Sequence, residues 1–212
     1  MGKKTQPIKE IEKEIMLYDY LYEHDRTVYI LVLMIRYTGF RVGDILGLTK
    51  RMVIDDYLEL TENKTKYLEN KYKKLAEKKN IKPKKPKPPR KVLLHPSLRK
   101  ELKEYTKDME NWQVIFPTTR KDRRNKPLSY SQVNRRLDTI AHELGIEDFG
   151  THALRKTCFL RMYEETGDIH KVQHFAGHIS IKDTSKYLGL TQEVNDNLVK
   201  KMDDPLRRIK RK

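Results

Sequence analysis

The sequence predicts an α+β fold, mainly helical with a small antiparallel β-sheet, and three observations carry that prediction. Apolar residues recur at helical spacing in several separated stretches, as at Ile8, Ile11, Ile15 and Tyr18. Residues 26–37, RTVYILVLMIRY, are almost continuously apolar and too long for a single strand. β-forming residues concentrate in one limited region, at MVIDDYLEL and KTKYL within 51–68 and at VLLH over 92–95.

Length and charge set the outer bounds. A chain of 212 residues can bury one good core, so one main domain is expected over 7–203, with a short tail at 1–6 and a basic tail at 204–212. Lys and Arg number 46 against 30 Asp and Glu, a formal net charge of +16, which favours a polyanionic partner and nucleic acid first. No apolar run reaches the roughly 18 residues a membrane span needs, and no signal-peptide core opens the chain. The expectation is therefore a cytoplasmic protein without a membrane partner. Cys158 is the only cysteine, which excludes an internal disulfide or a cysteine-rich zinc site; no metal and no cofactor are expected.

Taken in order, residues 7–23 predict an amphipathic helix with Pro7 suited to its first turn. The apolar run that follows predicts a buried helix stopped by Gly39, after which Arg41 opens a second, short helix. Residues 69–91 read as a basic insertion between strands. Over 71–91 eleven Lys or Arg face one Glu. The first half of this insertion can be helical when bound, whereas Pro83, Pro86, Pro88 and Pro89 forbid helix in the second. Further helices are expected at 97–109, 129–144, 154–162, 181–187 and 191–202, and a short strand at 113–116. In the second of these helices Ser129 is the N-cap and Gly145 the stop.

The chemistry-bearing residues gather near the C-terminus. His152 and Arg155 stand three apart on one helix face, Gly177-His178 is a helix stop followed by an imidazole, and Tyr187 comes nine residues later. Any one of these alone is more often filler than function. As a set, the pattern resembles the C-terminal signature of the tyrosine recombinases, or phage integrase family. The stretch TGFRVGDILGLT at 38–49 resembles the first-arginine motif of the same family.

That resemblance implies a catalytic domain that cleaves and rejoins DNA through a 3′-phosphotyrosyl intermediate. It implies Tyr187 as nucleophile, Arg41 and Arg155 as phosphate ligands, His178 as a donor to a non-bridging oxygen, and His152 as an aid to proton transfer or phosphate binding. Asp44 is implied as a brace for Arg41 or for nearby loop amides. The family's β-hairpin lysine, the general acid, falls on Lys64, with Lys66 as its rival. The basic insertion is either a solvated tether or a DNA-backbone contact through Lys73, Lys74, Lys78, Lys79, Lys84, Lys85 and Arg90. Double-stranded DNA is the implied partner, with self-association into a dimer or tetramer upon it. Most family members carry a further N-terminal half, so the chain is expected to be either a small one-domain member or a fragment. Two alternatives stay open. One is a type IB topoisomerase-like nicking-closing enzyme, against which His152 argues. The other is a non-catalytic DNA-binding regulator, against which the complete residue set argues.

Overall fold

Helix α2 (Arg26–Thr38) is the apolar run seen in the sequence, and it packs chiefly against α1 (Ile11–His24), α5 (Pro96–Tyr105) and α7 (Thr151–Thr166). Burial all round its middle explains why that stretch shows no polar face: Ile30, Leu31, Val32, Met34 and Ile35 are all excluded from solvent. The computed structural model describes residues 5–79, 81–82, 86, 88–119, 125–177, 181 and 184–185. Expectations for His178, Tyr187, Lys84, Lys85, the 191–202 helix and both chain ends fall outside the described residues.

Local signals set the helix ends. The Asp25 carboxylate accepts from the Val28 amide at 3.1 Å and starts α2; Gly39, at φ 61°, ends it with its N–H on the Ile35 carbonyl at 2.8 Å. Glycine is required at that end. A Cβ there would stand 2.7 Å from Phe159 Cε1, besides the cost of the left-handed conformation. Helix α3 (Val42–Ile45) follows. Helix α6 (Tyr130–Glu143) carries the expected Ser129 cap as a full capping box with Gln132, and Gly145 at φ 63° follows its end. Helix α8 (Ile169–Ala176) packs on α7 and ends at Gly177, again left-handed at φ 66°.

The sheet is smaller than the sequence suggests. Strands β1 (Tyr57–Leu60) and β2 (Arg90–Leu93) pair antiparallel, with Leu60 opposite Arg90. Residues beyond β1 form a helix, α4 (Asn63–Lys78), rather than continuing as strand. The physical reason is composition: Lys, Leu, Glu and Ala dominate this stretch, and straight-chain residues lose little freedom in a helix. Residues 113–116 likewise form only an isolated bridge, Val114 to Thr49, instead of a strand.

A buried ion network ties α1 to the rest. Glu14 accepts from Arg36 Nε at 2.6 Å, from Arg161 Nε at 2.8 Å and from the Tyr18 hydroxyl, joining α1 to α2 and α7. No helix among the described residues is long and apolar enough to cross a membrane.

Candidate active site

Arg41 reaches the site because α2 stops sharply. After left-handed Gly39 the chain buries Phe40, and Arg41, extended at φ −75° and ψ 147°, becomes the N-cap of α3. Its guanidinium donates to the carboxylate of Glu62, the N-cap residue of α4. Asp44, on α3, stands 4.0 Å from the same guanidinium and accepts the Asn63 amide at 2.7 Å. Asn63 returns the bond with its side-chain amide on the Gly43 carbonyl, also at 2.7 Å, so α3 and the start of α4 are clasped together. Burial pushes the Asp44 carboxyl above its ordinary value, against the pull of the Asn63 amide.

Arg155 lies in α7 and is almost fully enclosed, with 1% of its side chain exposed. Its guanidinium donates to the carbonyl of Gly39 and, at 3.4 Å, to that of Ala176, and lies 3.8 Å from Glu62. His152, one turn earlier on α7, has its pKa lowered by burial first and then by the cations of Arg41, Arg155 and Lys156. Its imidazole therefore sits in the field of both arginines and is held toward its neutral form. The structure thus brings Arg41, Asp44, His152 and Arg155 into one neighbourhood.

Two residues complete the cluster without having been singled out for it. Glu62 stands between the three guanidiniums of Arg41, Arg155 and Arg90, and Arg90 Nη1 donates to it at 2.9 Å. Arg90 was expected on an exposed DNA-contacting loop; instead it opens β2 with only 16% of its side chain exposed. Its second nitrogen donates to the Thr38 carbonyl, and its guanidinium lies 3.9 Å over the ring of Phe40 and 5.5 Å from that of Phe175. Burial pulls Arg90 below its ordinary pKa, against the opposing pull of Glu62. The cause of its placement is strand register: Leu60 opposite Arg90 sets Arg90 beside the chain just past β1.

Lys64 is also placed differently from expectation. It and Lys66 are exposed in the first turns of α4, not on a β-hairpin strand, because the helix-forming stretch begins at Asn63. Lys73, Lys74, Lys78 and Lys79 are exposed along the same helix and at its end. Tyr67, Tyr72 and Leu75 share that exposure, and Ala76 is the only buried residue of α4.

Comparison with known proteins extends these observations. The model of the phage integrase family matches residues 9–193. The chain is similar to the probable integrase/recombinase YoeC of Bacillus subtilis (strain 168), 34% identical over 190 residues, covering 89% of this chain and 92% of that relative. Among solved structures it is similar to the XerA recombinase, with TM-score 0.66 and 19% identity over 91% of this chain and 64% of the other. A lambda integrase (75-356) dimer bound to a COC′ core site matches with TM-score 0.61 and 20% identity, over 88% and 60% of the two chains. These structures bear on the fold alone, and the chain spans less than two thirds of their length.

Proposed function

The chain belongs to the phage integrase family, and on that premise we propose that it is a site-specific recombinase acting on double-stranded DNA through a 3′-phosphotyrosyl intermediate. The observation that carries the reading is the convergence of Arg41, Arg155 and His152 from two helices that are distant in sequence.

The chemistry has one principal obstacle. Tyrosine has an ordinary pKa near 10, so at neutral pH about one phenol in a thousand is ionised, a handicap of roughly 4 kcal/mol. In the proposed reaction the Tyr187 oxygen attacks the scissile phosphorus and the bond to the 5′-oxygen breaks. Arg41 and Arg155 neutralise charge that grows on the non-bridging oxygens, a task suited to a planar, permanently charged guanidinium. His152 takes up the phenol proton, and its lowered pKa supports this role because a neutral imidazole can accept. His178 donates to a non-bridging oxygen, and Lys64, with Lys66 as rival, gives a proton to the departing 5′-oxygen. The phosphotyrosyl bond retains the energy of the broken linkage, so rejoining needs no ATP. Asp44 braces the start of α4 against α3, and the exposed lysines of α4 supply contacts to the DNA backbone. Assembly on DNA as a dimer or tetramer belongs to the same proposal, as does a cytoplasmic location.

The test is a nicked suicide duplex whose cleaved end diffuses away. The native protein is expected to become covalently attached to a 3′ end, and Tyr187→Phe to bind the duplex without attachment. An adduct that survives in Tyr187→Phe, or none in the native protein on its cognate site, refutes the reading.

A further inference from the structure

We propose that Glu62 is the positioning residue of Arg41 and that Arg90 holds Glu62 in place for it, an inference that rests on the reading of Arg41 as a phosphate-binding group. One carboxylate oxygen of Glu62 receives Arg41; the other receives Arg90 at 2.9 Å. Both oxygens are thus engaged in charge-assisted bonds that fix the carboxylate plane.

Arg90 is itself anchored at a point where three segments meet. It bonds the Thr38 carbonyl, lies over Phe40 and beside Phe175, and its Cδ is 3.8 Å from where a Gly177 Cβ would stand. Those segments precede Arg41 and His178 in the chain, while Glu62 itself lies two residues before Lys64. The backbone of Glu62 is fixed as well, since the next residue, Asn63, is bonded to both Asp44 and Gly43. A carboxylate that only stood in for the substrate phosphate would have to leave when DNA arrives. Its departure would strand the mostly buried Arg90 cation without a counter-charge. Arg41 has five N–H donors in a rigid fork, so it can keep Glu62 on one edge and present the other to a phosphate.

Glu62→Gln removes the charge at nearly constant volume; Glu62→Asp keeps the charge and shortens the reach. Each variant is compared with the native protein on an ordinary nicked substrate and on one whose scissile phosphate is replaced by a methylphosphonate. The uncharged linkage has less need of a guanidinium. If Glu62 acts through Arg41, Glu62→Gln slows cleavage of the phosphodiester on the order of 10- to 100-fold, slows the methylphosphonate far less, and Arg41→Gln shows the same contrast. Glu62→Asp recovers part of the loss. Equal loss on both substrates means general packing, and unchanged or faster cleavage of the phosphodiester means a displaced placeholder; either overturns the proposal. A second measurement needs no cleavage. In the native protein the Arg41 guanidinium protons, assigned by their loss in Arg41→Lys, should give resolved NMR signals that collapse in Glu62→Gln and in Arg90→Met. Signals that persist in both variants overturn the proposal even if the native protein cuts no DNA, in which case the recombinase reading fails separately.

Discussion

Removing the Glu14 carboxylate is expected to destabilise the protein by about 3 kcal/mol, because it leaves two arginines of a buried network without their shared anion. The side chain of Glu14 is 2% exposed, and those of Arg161 and Arg36 are 12% and 26% exposed. Breaking such a group by deleting one partner costs about 3–5 kcal/mol, and two features place this case at the lower end. Arg36 is partly solvated, and Arg161 keeps Glu164 at 2.8 Å and the carbonyls of Ile8 and Lys9 at 3.1 and 3.0 Å. For a chain of this size about 3 kcal/mol lowers the melting temperature by roughly 6–12 °C. The assay is thermal and urea unfolding of the native protein, Glu14→Ala and Glu14→Gln, followed by circular dichroism. Burial alone would raise the Glu14 pKa, but the Tyr18 hydroxyl, Arg161 and Arg36 outweigh it and hold the carboxyl below 4.5. A carboxyl depressed in the folded state contributes stability above its unfolded pKa and loses it as pH falls through the folded value. The gap between native protein and Glu14→Gln should therefore be constant near neutrality and close in acid, as pH falls through the lowered folded-state pKa of Glu14. A gap of less than about 1 kcal/mol at neutral pH, the size of a surface ion pair, would refute the reasoning.

Other consequences can be checked more briefly. The His152 imidazole should titrate below 6.5, and Arg41→Gln should raise its midpoint, since one of the cations opposing its protonation is gone; NMR of the ring protons reads both, and an unmoved midpoint would place His152 outside the field of Arg41. Gly39→Ala should destabilise by about 2 kcal/mol or more from a left-handed φ of 61° and a contact at 2.7 Å to Phe159, as measured by the urea midpoint. The Cys158 thiol is fully buried and pushed up to about 11, so a disulfide reagent at neutral pH should label it only as fast as the protein opens; rapid stoichiometric labelling of the folded protein would contradict its burial.

The sequence was legible where period and end signals agreed. Helix α6 carries both, opened by Ser129 with Gln132, while the unbroken apolar run of α2 is delimited by its end signals, Asp25 and Gly39. Helix α4 carries apolar residues at helical spacing, Leu68, Tyr72, Leu75 and Ala76, so helix is readable in the first half of the insertion, but no side-chain cap marks its start at Asn63. Arg41, His152 and Arg155 are legible because TGFRVGDILGLT and the His-x-x-Arg spacing resemble the motifs of a known family. Glu62 and Arg90 were not, because what joins them is the pairing of Leu60 with Arg90 across the whole of 61–89. Only a β-register creates that neighbour relation, and composition had already assigned Arg90 to a basic loop. The expectation of Lys64 on a hairpin comes from the family resemblance, and nothing in the β-forming run to Leu60 signals that a helix begins at Asn63.

Arg90 and Arg155 are held by helix ends, and this explains how three guanidiniums coexist beside two carboxylates, Glu62 and Asp44, among the described residues. The last carbonyls of a helix have no intrahelical partner and carry a partial negative charge. Arg90 takes the Thr38 carbonyl at the end of α2; Arg155 takes that of Gly39, and at 3.4 Å that of Ala176 at the end of α8. Each contact satisfies an acceptor that would otherwise need water and fixes one edge of a guanidinium. Because these partners are backbone atoms at the ends of packed helices, the cations are oriented by the fold itself, which suits the proposed role of Arg155 on a phosphate because little reorganisation would remain. The arrangement requires the planar fork of arginine: a lysine at position 155 could not span two carbonyls from different helices and still present a charge to a third group.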